Sequence, residues 1–103
     1  MHTLHIEHPI TDFATWKGAF DRFAQMRAGA GVRGHRVAQP VDDDHYVVLD
    51  LDFDTETEAS SFRAFLRTKV WAVPENSPGL AGDPVARILM LEEVLAAPRT
   101  ATV

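Results

Sequence analysis

The chain contains no cysteine. Disulfide bonds, thiolate nucleophiles, iron–sulfur clusters and cysteine-based zinc sites are therefore excluded. No apolar run approaches the roughly 20 residues that a membrane-spanning helix needs. The first residues also lack the basic region and long apolar segment that are typical of a signal peptide. We therefore expect no signal peptide and predict a cytoplasmic protein.

Positive charge is also scarce. The chain has 10 Lys and Arg against 15 Asp and Glu, and its net charge is −5 with neutral histidines. Nucleic-acid binding depends on clustered basic side chains, and docking on anionic lipid depends on the same attraction. The composition thus argues against both classes of partner.

What the chain does have is enough apolar material for one hydrophobic core. Apolar residues make up 46% of the 103 residues, a common size for a single domain. Charged residues make up 24%, which argues against a disordered chain. We predict one domain over residues 1–95, followed by a flexible tail over residues 96–103.

Residue patterns predict four strands and two helices. Alternating apolar and polar side chains predict strands at residues 2–8, 32–39, 45–53 and 85–94. Apolar residues three and four apart predict helices at about 12–28 and 55–70. Thr55 and Glu58 match a capping box at the start of the second helix. Prolines and glycines predict a long irregular connection at residues 71–84, and such loops are often functional.

The order β, α, β, β, α, β predicts an α+β fold, the ferredoxin-like βαββαβ plait. Right-handed crossovers place both helices on one face of a four-stranded antiparallel sheet. The helix-facing side of the sheet would carry the apolar residues of the first and third strands, which are Leu4, Ile6, Val47, Leu49, Leu51 and Phe53. Aromatic side chains of both helices would complete this core.

The opposite face of the sheet would have no helix over it. It would carry polar side chains of the first and third strands. In either register of the last strand it would also carry large aliphatic residues, either Leu89 and Leu91 or Ile88 and Met90. Exposed apolar patches of this size mark interfaces, and twofold pairing is the commonest way to cover them. We predict a homodimer whose sheets pair face to face as a dimeric α/β barrel.

Several segments resemble the small dimeric α/β-barrel proteins, which include the antibiotic-biosynthesis-monooxygenase-like domains. The matching features are Asp12-Phe13, Trp16-Lys17 and Phe20-Asp21, then Gly31 to Val37, then Asp50 to Asp54 before a helix with Ala59 and Phe62 to Phe65. The resemblance covers about residues 10–95. It implies the same fold, and a function among cofactor-free oxygenases, haem-degrading enzymes, and isomerases and cyclases of aromatic compounds.

Five polar residues are candidates for catalysis, namely His5, His35, Tyr46, Asp50 and Arg87. A carboxylate beside a histidine can bring the histidine pKa into the range of a general base. Tyr46 or Arg87 could then stabilise an oxyanion. The alternative is a hydrogen-bonded polar network at the dimer interface, in which Arg87 neutralises a carboxylate.

Four aromatic residues are candidates for a ligand pocket between helices and sheet, namely Trp16, Phe20, Phe65 and Trp71. Such a pocket would suit a flat aromatic ligand. The alternative is ordinary core packing, since aromatic stripes at helical spacing usually belong to the core. Trp71 opens the irregular segment, so it could form a cavity wall or simply anchor the loop.

We predict no metal site and no cofactor. His2, His5 and His8 share one strand, but His5 points away from the other two. His2 and His8 are about 20 Å apart at roughly 3.3 Å per residue, too far for one metal ion to bridge. These histidines are interpreted as ordinary surface or interface residues. Asp42, Asp43 and Asp44 lack the alternation of a calcium loop and are interpreted as a solvated turn.

Two hypotheses for function follow. The first is a cofactor-free monooxygenase, isomerase or cyclase that acts on a small aromatic or polyketide-like compound. It requires a catalytic group beside a cavity of about 300 Å³ or more. The second is a homodimer without catalysis, which binds a small ligand or has a structural role.

Overall fold

A computed structural model describes residues 1–95 of the chain, and the predicted tail lies outside this range. The strands are β1 (His2–Pro9), β2 (Gly34–Ala38), β3 (Tyr46–Phe53) and β4 (Val85–Met90). The α-helices are α1 (Phe13–Arg22), α2 (Ala24–Gly29) and α3 (Glu56–Phe65). A π-helical turn at Leu66–Val70 extends α3, and a short 3-10 turn follows at Pro74–Asn76.

The four strands form one antiparallel sheet in the order β2-β3-β1-β4. Strands β1 and β3 lie at the centre, where each pairs on both sides. This order, with a helical crossover in each half of the chain, is that of the ferredoxin-like plait. The predicted fold class and the predicted antiparallel sheet are therefore confirmed.

The hydrophobic core lies between the helices and one face of the sheet. Its sheet side consists of the predicted residues Leu4, Ile6, Val47, Leu49, Leu51 and Phe53, each at most 6% exposed. Trp16 of α1 and Phe62 of α3 close it from the helix side. Each large side chain that is fully buried stabilises the fold by about 1.5–3 kcal/mol. The alternation along β1 and β3 thus fixes which face the helices cover.

The first helix is not continuous, which corrects the prediction of a single helix at about 12–28. It begins at the expected cap, where the Asp12 carboxylate accepts a hydrogen bond from the Thr15 backbone N–H. It breaks at Phe23, whose backbone (φ −96°, ψ 15°) is no longer helical. The buried Arg27 donates to the Phe20 carbonyl oxygen just before the break, so α2 is tied back onto α1.

The second helix begins as predicted and ends differently. Thr55 and Glu58 form the capping box through both of its reciprocal hydrogen bonds. After Phe65 the chain enters the π-helical turn, in which the Trp71 N–H donates to the Leu66 carbonyl at 2.7 Å. Turns of this kind are rare and often occur at functional sites.

The connection at residues 71–84 is fastened to the rest of the domain. Leu80 forms an isolated bridge with Ile10, and the Thr11 N–H donates to the Gly79 carbonyl at 2.8 Å. Position 79 requires glycine for two reasons. Its backbone is left-handed (φ 88°), and a Cβ there would approach the Trp16 backbone nitrogen to 3.0 Å. The segment therefore packs closely on the start of α1.

The last strand ends at Met90, four residues earlier than predicted. Beyond it, the Leu91 N–H still donates to the Met1 carbonyl at 3.1 Å. Within residues 1–95, no helix combines the length and the apolar character that crossing a membrane demands. The cytoplasmic location stays a prediction.

Candidate functional site

His5 lies at the centre of a polar network on the sheet face that no helix covers. Its Nδ1 is 2.7 Å from Asp50 Oδ1 and its Nε2 is 2.8 Å from Glu7 Oε2. Ionised carboxylates only accept hydrogen bonds, so both ring nitrogens act as donors when the imidazole is protonated. The hydrogen bond to Glu7, with that to Asp50, raises the pKa of His5 above its usual value.

Tyr46 extends this network along the sheet. Its hydroxyl donates to Glu7 Oε1 at 2.7 Å, so both oxygens of Glu7 are engaged. The hydrogen bond from His5, followed by that from Tyr46, lowers the pKa of Glu7. The same bond raises the pKa of the Tyr46 hydroxyl. Glu7 thus stays ionised, while Tyr46 stays protonated.

Asp52 is the second carboxylate of this face with several partners. Arg36 donates to its two oxygens at 2.9 and 3.0 Å, and the hydroxyl of the buried Thr3 donates at 2.7 Å. The Arg36 hydrogen bonds hold the pKa of Asp52 below its usual range. Paired, two-oxygen contacts of this kind are among the stronger ion pairs in proteins.

One row of charged residues crosses all four strands. Arg36, Asp50, His5 and Arg87 occupy neighbouring positions on β2, β3, β1 and β4. Arg87 is exposed and stands opposite His5 in the register. We call the network of Thr3, His5, Glu7, Arg36, Tyr46, Asp50 and Asp52 the open-face network. Three of the predicted catalytic residues, His5, Tyr46 and Asp50, therefore belong to one connected set.

His35 lies on the other side of the sheet. It pairs with Leu51, a helix-facing residue, and its ring meets the Phe20 ring edge-on at 5.2 Å between centroids. Strand alternation explains this position, because its neighbours Gly34 and Arg36 take the open face. His35 is thus separated from the other four catalytic candidates.

A cavity of about 80 Å³ lies between the helices and the sheet. All four residues predicted for a ligand pocket line it, namely Trp16, Phe20, Phe65 and Trp71. Trp16 stacks on Phe20 with 5.1 Å between ring centroids. Pro78 and Leu80 of the 71–84 connection complete the wall. The volume is below the roughly 300 Å³ of typical ligand pockets, so only a small ligand fits without side-chain movement.

His8 is the titratable group of this cavity nearest the sheet. The side chain is 3% exposed, and its ring meets the Trp16 ring edge-on at 6.3 Å. Nδ1 lies 2.9 Å from the Pro9 carbonyl oxygen, which only accepts hydrogen bonds, so Nδ1 carries the proton. Burial lowers the pKa of His8. The ring is therefore neutral near pH 7, with an unprotonated Nε2.

Arg27 brings a positive charge to the opposite end of the aromatic wall. Its guanidinium lies 3.6 Å from the centroid of the Phe20 ring, and the residue is 7% exposed. Within residues 1–95 no carboxylate lies within ion-pair distance of it. Burial lowers the pKa of Arg27, and a guanidinium stays charged in proteins. Buried charges are usually paired, so this cation is available to an anionic group.

The sheet separates the two predicted sets of site residues. His5, Tyr46, Asp50 and Arg87 lie on the open face, whereas the aromatic residues lie on the helix side. None of the five catalytic candidates lines the cavity. In the described part of the chain, no group of His, Cys, Asp or Glu is arranged to hold a metal ion.

The sequence interpretation missed His8 as a residue of the cavity. Strand alternation nevertheless puts His8 on the same face as Leu4 and Ile6, and that face is the one the helices cover. A histidine on an apolar face, followed by a proline whose carbonyl can fix one ring nitrogen, was the available signal. Arg27 could not be found in this way, because its position depends on the break at Phe23.

No protein-family model matches the chain, and no curated protein matches it. Solved structures do. One is a dimeric ferredoxin-like protein from an uncultured marine organism, with a TM-score of 0.61 and 8% identity over 94% of this chain and 100% of that one.

Two further structures come from bacteria. A monooxygenase of Streptomyces coelicolor, solved with nanaomycin D, has a TM-score of 0.61 and 17% identity over 94% of this chain and 92% of that one. A protein assigned as an antibiotic biosynthesis monooxygenase of Bordetella bronchiseptica has a TM-score of 0.62 and 14% identity over 91% and 98%. At these identities the likeness concerns the fold alone. The chain thus has the ferredoxin-like fold of the antibiotic-biosynthesis-monooxygenase-like proteins, as the sequence resemblance implied.

Proposed function

We propose that this protein binds a small planar aromatic compound in the cavity between its helices and its sheet. Oxygenation of the bound compound without a cofactor is the second candidate function, although the cavity of about 80 Å³ is smaller than the volume of about 300 Å³ expected for an enzyme. The observation that supports the proposal is the cavity wall itself, on which Trp16, Phe20, Phe65 and Trp71 stand together. Aromatic walls favour flat aromatic ligands, because stacked and edge-on ring contacts add to the burial of apolar area. Two of the solved structures with this fold are monooxygenases by name.

The size of the cavity sets the size of the ligand. At about 80 Å³ it suits a single ring, and a two-ring compound requires side chains at its edge to move. Met26 lines the cavity and is 39% exposed, so its unbranched side chain can swing outward. One- and two-ring phenols are therefore the first compounds to test.

The reaction balances without a cofactor. α-Naphthol and one molecule of oxygen give a naphthoquinone and one molecule of water, so the aromatic compound supplies all the electrons. The protein would hold the ring, exclude bulk water and accept the hydroxyl proton. Excluding water from such a site strengthens the electrostatic interactions inside it.

We also propose that the protein works as a homodimer through the open face. Val85 and Leu89 of β4 are 51% and 42% exposed there, beside the half-buried open-face network. A second copy would cover these side chains and bury the network. One solved structure with this fold is dimeric.

The test of function is oxygen consumption with α-naphthol under air, measured with an oxygen electrode beside calorimetric binding. Binding with oxygen uptake that depends on protein, and with naphthoquinone formed in equal amount, would support the enzyme. Binding without turnover would support a binding protein without catalysis. That function is favoured by the position of His5, Tyr46 and Asp50 on the face away from the cavity. No binding of phenol or α-naphthol would refute both.

A further inference from the structure

We infer that Nε2 of His8 accepts a hydrogen bond from a hydroxyl group of the ligand, so that the cavity selects hydroxylated aromatic compounds over equally sized hydrocarbons. This inference rests on the proposed function, since it names a group and a substrate class for the same cavity. It concerns a histidine that the sequence pattern had assigned to an ordinary surface or interface position.

The tautomer of His8 is fixed by the backbone. The Pro9 carbonyl oxygen, 2.9 Å from Nδ1, has no proton to give, so Nδ1 must donate. A neutral imidazole carries one proton, and Nε2 is then an acceptor. Burial disfavours the charged ring, which keeps this arrangement near neutral pH.

Nε2 has no partner within the described protein. No hydrogen bond to it is formed by residues 1–95, although the side chain is 97% removed from solvent. Nε2 is also not enclosed by protein atoms, because within the same residues the one enclosed side-chain nitrogen or oxygen without a partner is Nδ1 of His2. His8 is one of the residues that line the aromatic cavity, and we infer that the open side of Nε2 faces this ligand space.

The neighbours of His8 leave the acceptor without competition. Across the sheet it pairs with the apolar Val47, and from α1 it is met by Trp16. Arg27 lies beyond Trp16 and Phe20 along the same wall. A bound ligand without a donor would bury this acceptor unpaired, which is unfavourable by about 1–3 kcal/mol, whereas a hydroxyl group on the ligand would avoid that cost.

His8 and Arg27, at the two ends of the aromatic wall, both favour a ligand with polar substituents. A hydroxyl group at His8 supplies the donor that Nε2 lacks, and a second, acidic group of the ligand would be attracted by the Arg27 charge. A hydrocarbon satisfies neither group. The chemistry of the wall thus favours a phenol over a ligand of the same shape without a polar substituent.

The test compares α-naphthol with α-methylnaphthalene, which has a methyl group of nearly the same size in place of the hydroxyl. Calorimetry measures both dissociation constants for the wild-type protein and for His8→Leu and His8→Gln. We expect the wild type to bind α-naphthol about tenfold more tightly, the difference that one good hydrogen bond supports. In His8→Leu the preference should disappear, whereas His8→Gln should retain part of it, because a glutamine oxygen can accept near the Nε2 position.

The outcomes separate this inference from the proposal on which it rests. Equal affinity of the wild type for both compounds would overturn the role of His8 and leave the aromatic cavity standing. Failure of both compounds to bind, together with failure of the single-ring pair phenol and toluene, would overturn the proposed function itself. If the variants do not fold, the wild type still decides. The nitrogen NMR resonance of His8 Nε2 should shift upfield when α-naphthol binds and should not shift when α-methylnaphthalene binds. A resonance that stays at the same position with either compound bound would refute the contact.

Discussion

His5 and His8 lie three residues apart in one strand and face opposite sides of the sheet. His5 stands between two carboxylates on the open face, and His8 stands between apolar residues on the helix side. Contact with Glu7 raises the pKa of His5, whereas burial lowers the pKa of His8. The two histidines therefore change the stability of the fold with pH in opposite directions.

The stabilising effect of His5 should be lost at high pH. Its pKa is raised above 6.5 on folding, so its contribution is fully present below that pH and vanishes as the pH rises through the raised value. We expect His5→Gln to lower the free energy of unfolding more at about pH 6 than at about pH 9. Urea denaturation of both proteins measures the difference, and a constant difference across this range would contradict it.

His8→Gln should show the opposite trend. Because folding lowers the pKa of His8 below 6.5, the wild type loses stability as the pH falls below that value, while the variant does not. The stability of the variant relative to wild type should therefore rise on acidification. Measurements stay above about pH 5, since Glu7 and Asp52 also have lowered pKa values and lose their contributions in more acidic solution.

Asp52→Ala should destabilise the protein by about 2–3 kcal/mol. The substitution removes both Arg36 hydrogen bonds and leaves the hydroxyl of Thr3, which is 3% exposed, without its acceptor. The matched control is Asp54→Ala, which breaks the solvent-exposed ion pair with Arg33 and should change stability by less than about 1 kcal/mol. Similar losses in the two variants would show that the open-face network is no stronger than a surface pair.

Gly79→Ala should destabilise the fold and disturb the cavity. The new Cβ would meet the Trp16 backbone in a conformation that alanine rarely adopts, at an expected loss of more than about 1 kcal/mol. Gly18→Ala is the control, because no atom lies within 4 Å of its Cβ position in α1. That change should stabilise by about 0.5–1 kcal/mol. Thermal denaturation distinguishes the two, and a neutral Gly79→Ala would mean that the loop yields easily.

Leu89→Asp should weaken self-association if the open face is the dimer contact. Leu89 stands beside Thr3 on that face and is 42% exposed. Sedimentation velocity should show the variant shifting to monomer at concentrations where the wild type is dimeric. Val41→Asp is the control, because Val41 is fully exposed in a turn outside the sheet. A dimer unaffected by both changes would place the contact elsewhere.

The fold could be predicted because the two central strands alternate clearly between apolar and polar side chains. The alternation in β3, from Tyr46 to Phe53, is complete, and its apolar half is buried as expected. The break at Phe23 could not be predicted. Its neighbours favour a continuous helix, and the break depends on Arg27 reaching the Phe20 carbonyl, a contact set by tertiary packing.

Most of the candidate site was predictable, and the position of one residue was not. Helical spacing places Trp16 and Phe20 on one stripe against the sheet. Strand parity places His5 and Asp50 together on the opposite face. The sequence could not show on which side His35 lies. The register of β2, which turns His35 toward Phe20, depends on a pairing across the hairpin that no local pattern specifies.

The π-helical turn at Leu66–Val70 makes the chain tolerant of one specific length change. A π turn holds one residue more than an α turn, so deleting a single residue there would restore an ordinary helix with its hydrogen bonds intact. The residues after the turn would keep their direction, because the extra residue of a π turn is taken up within that turn. Trp71 would therefore keep its place in the cavity wall. The chain can thus lose one residue at this point while the shape of the cavity and the fold are preserved.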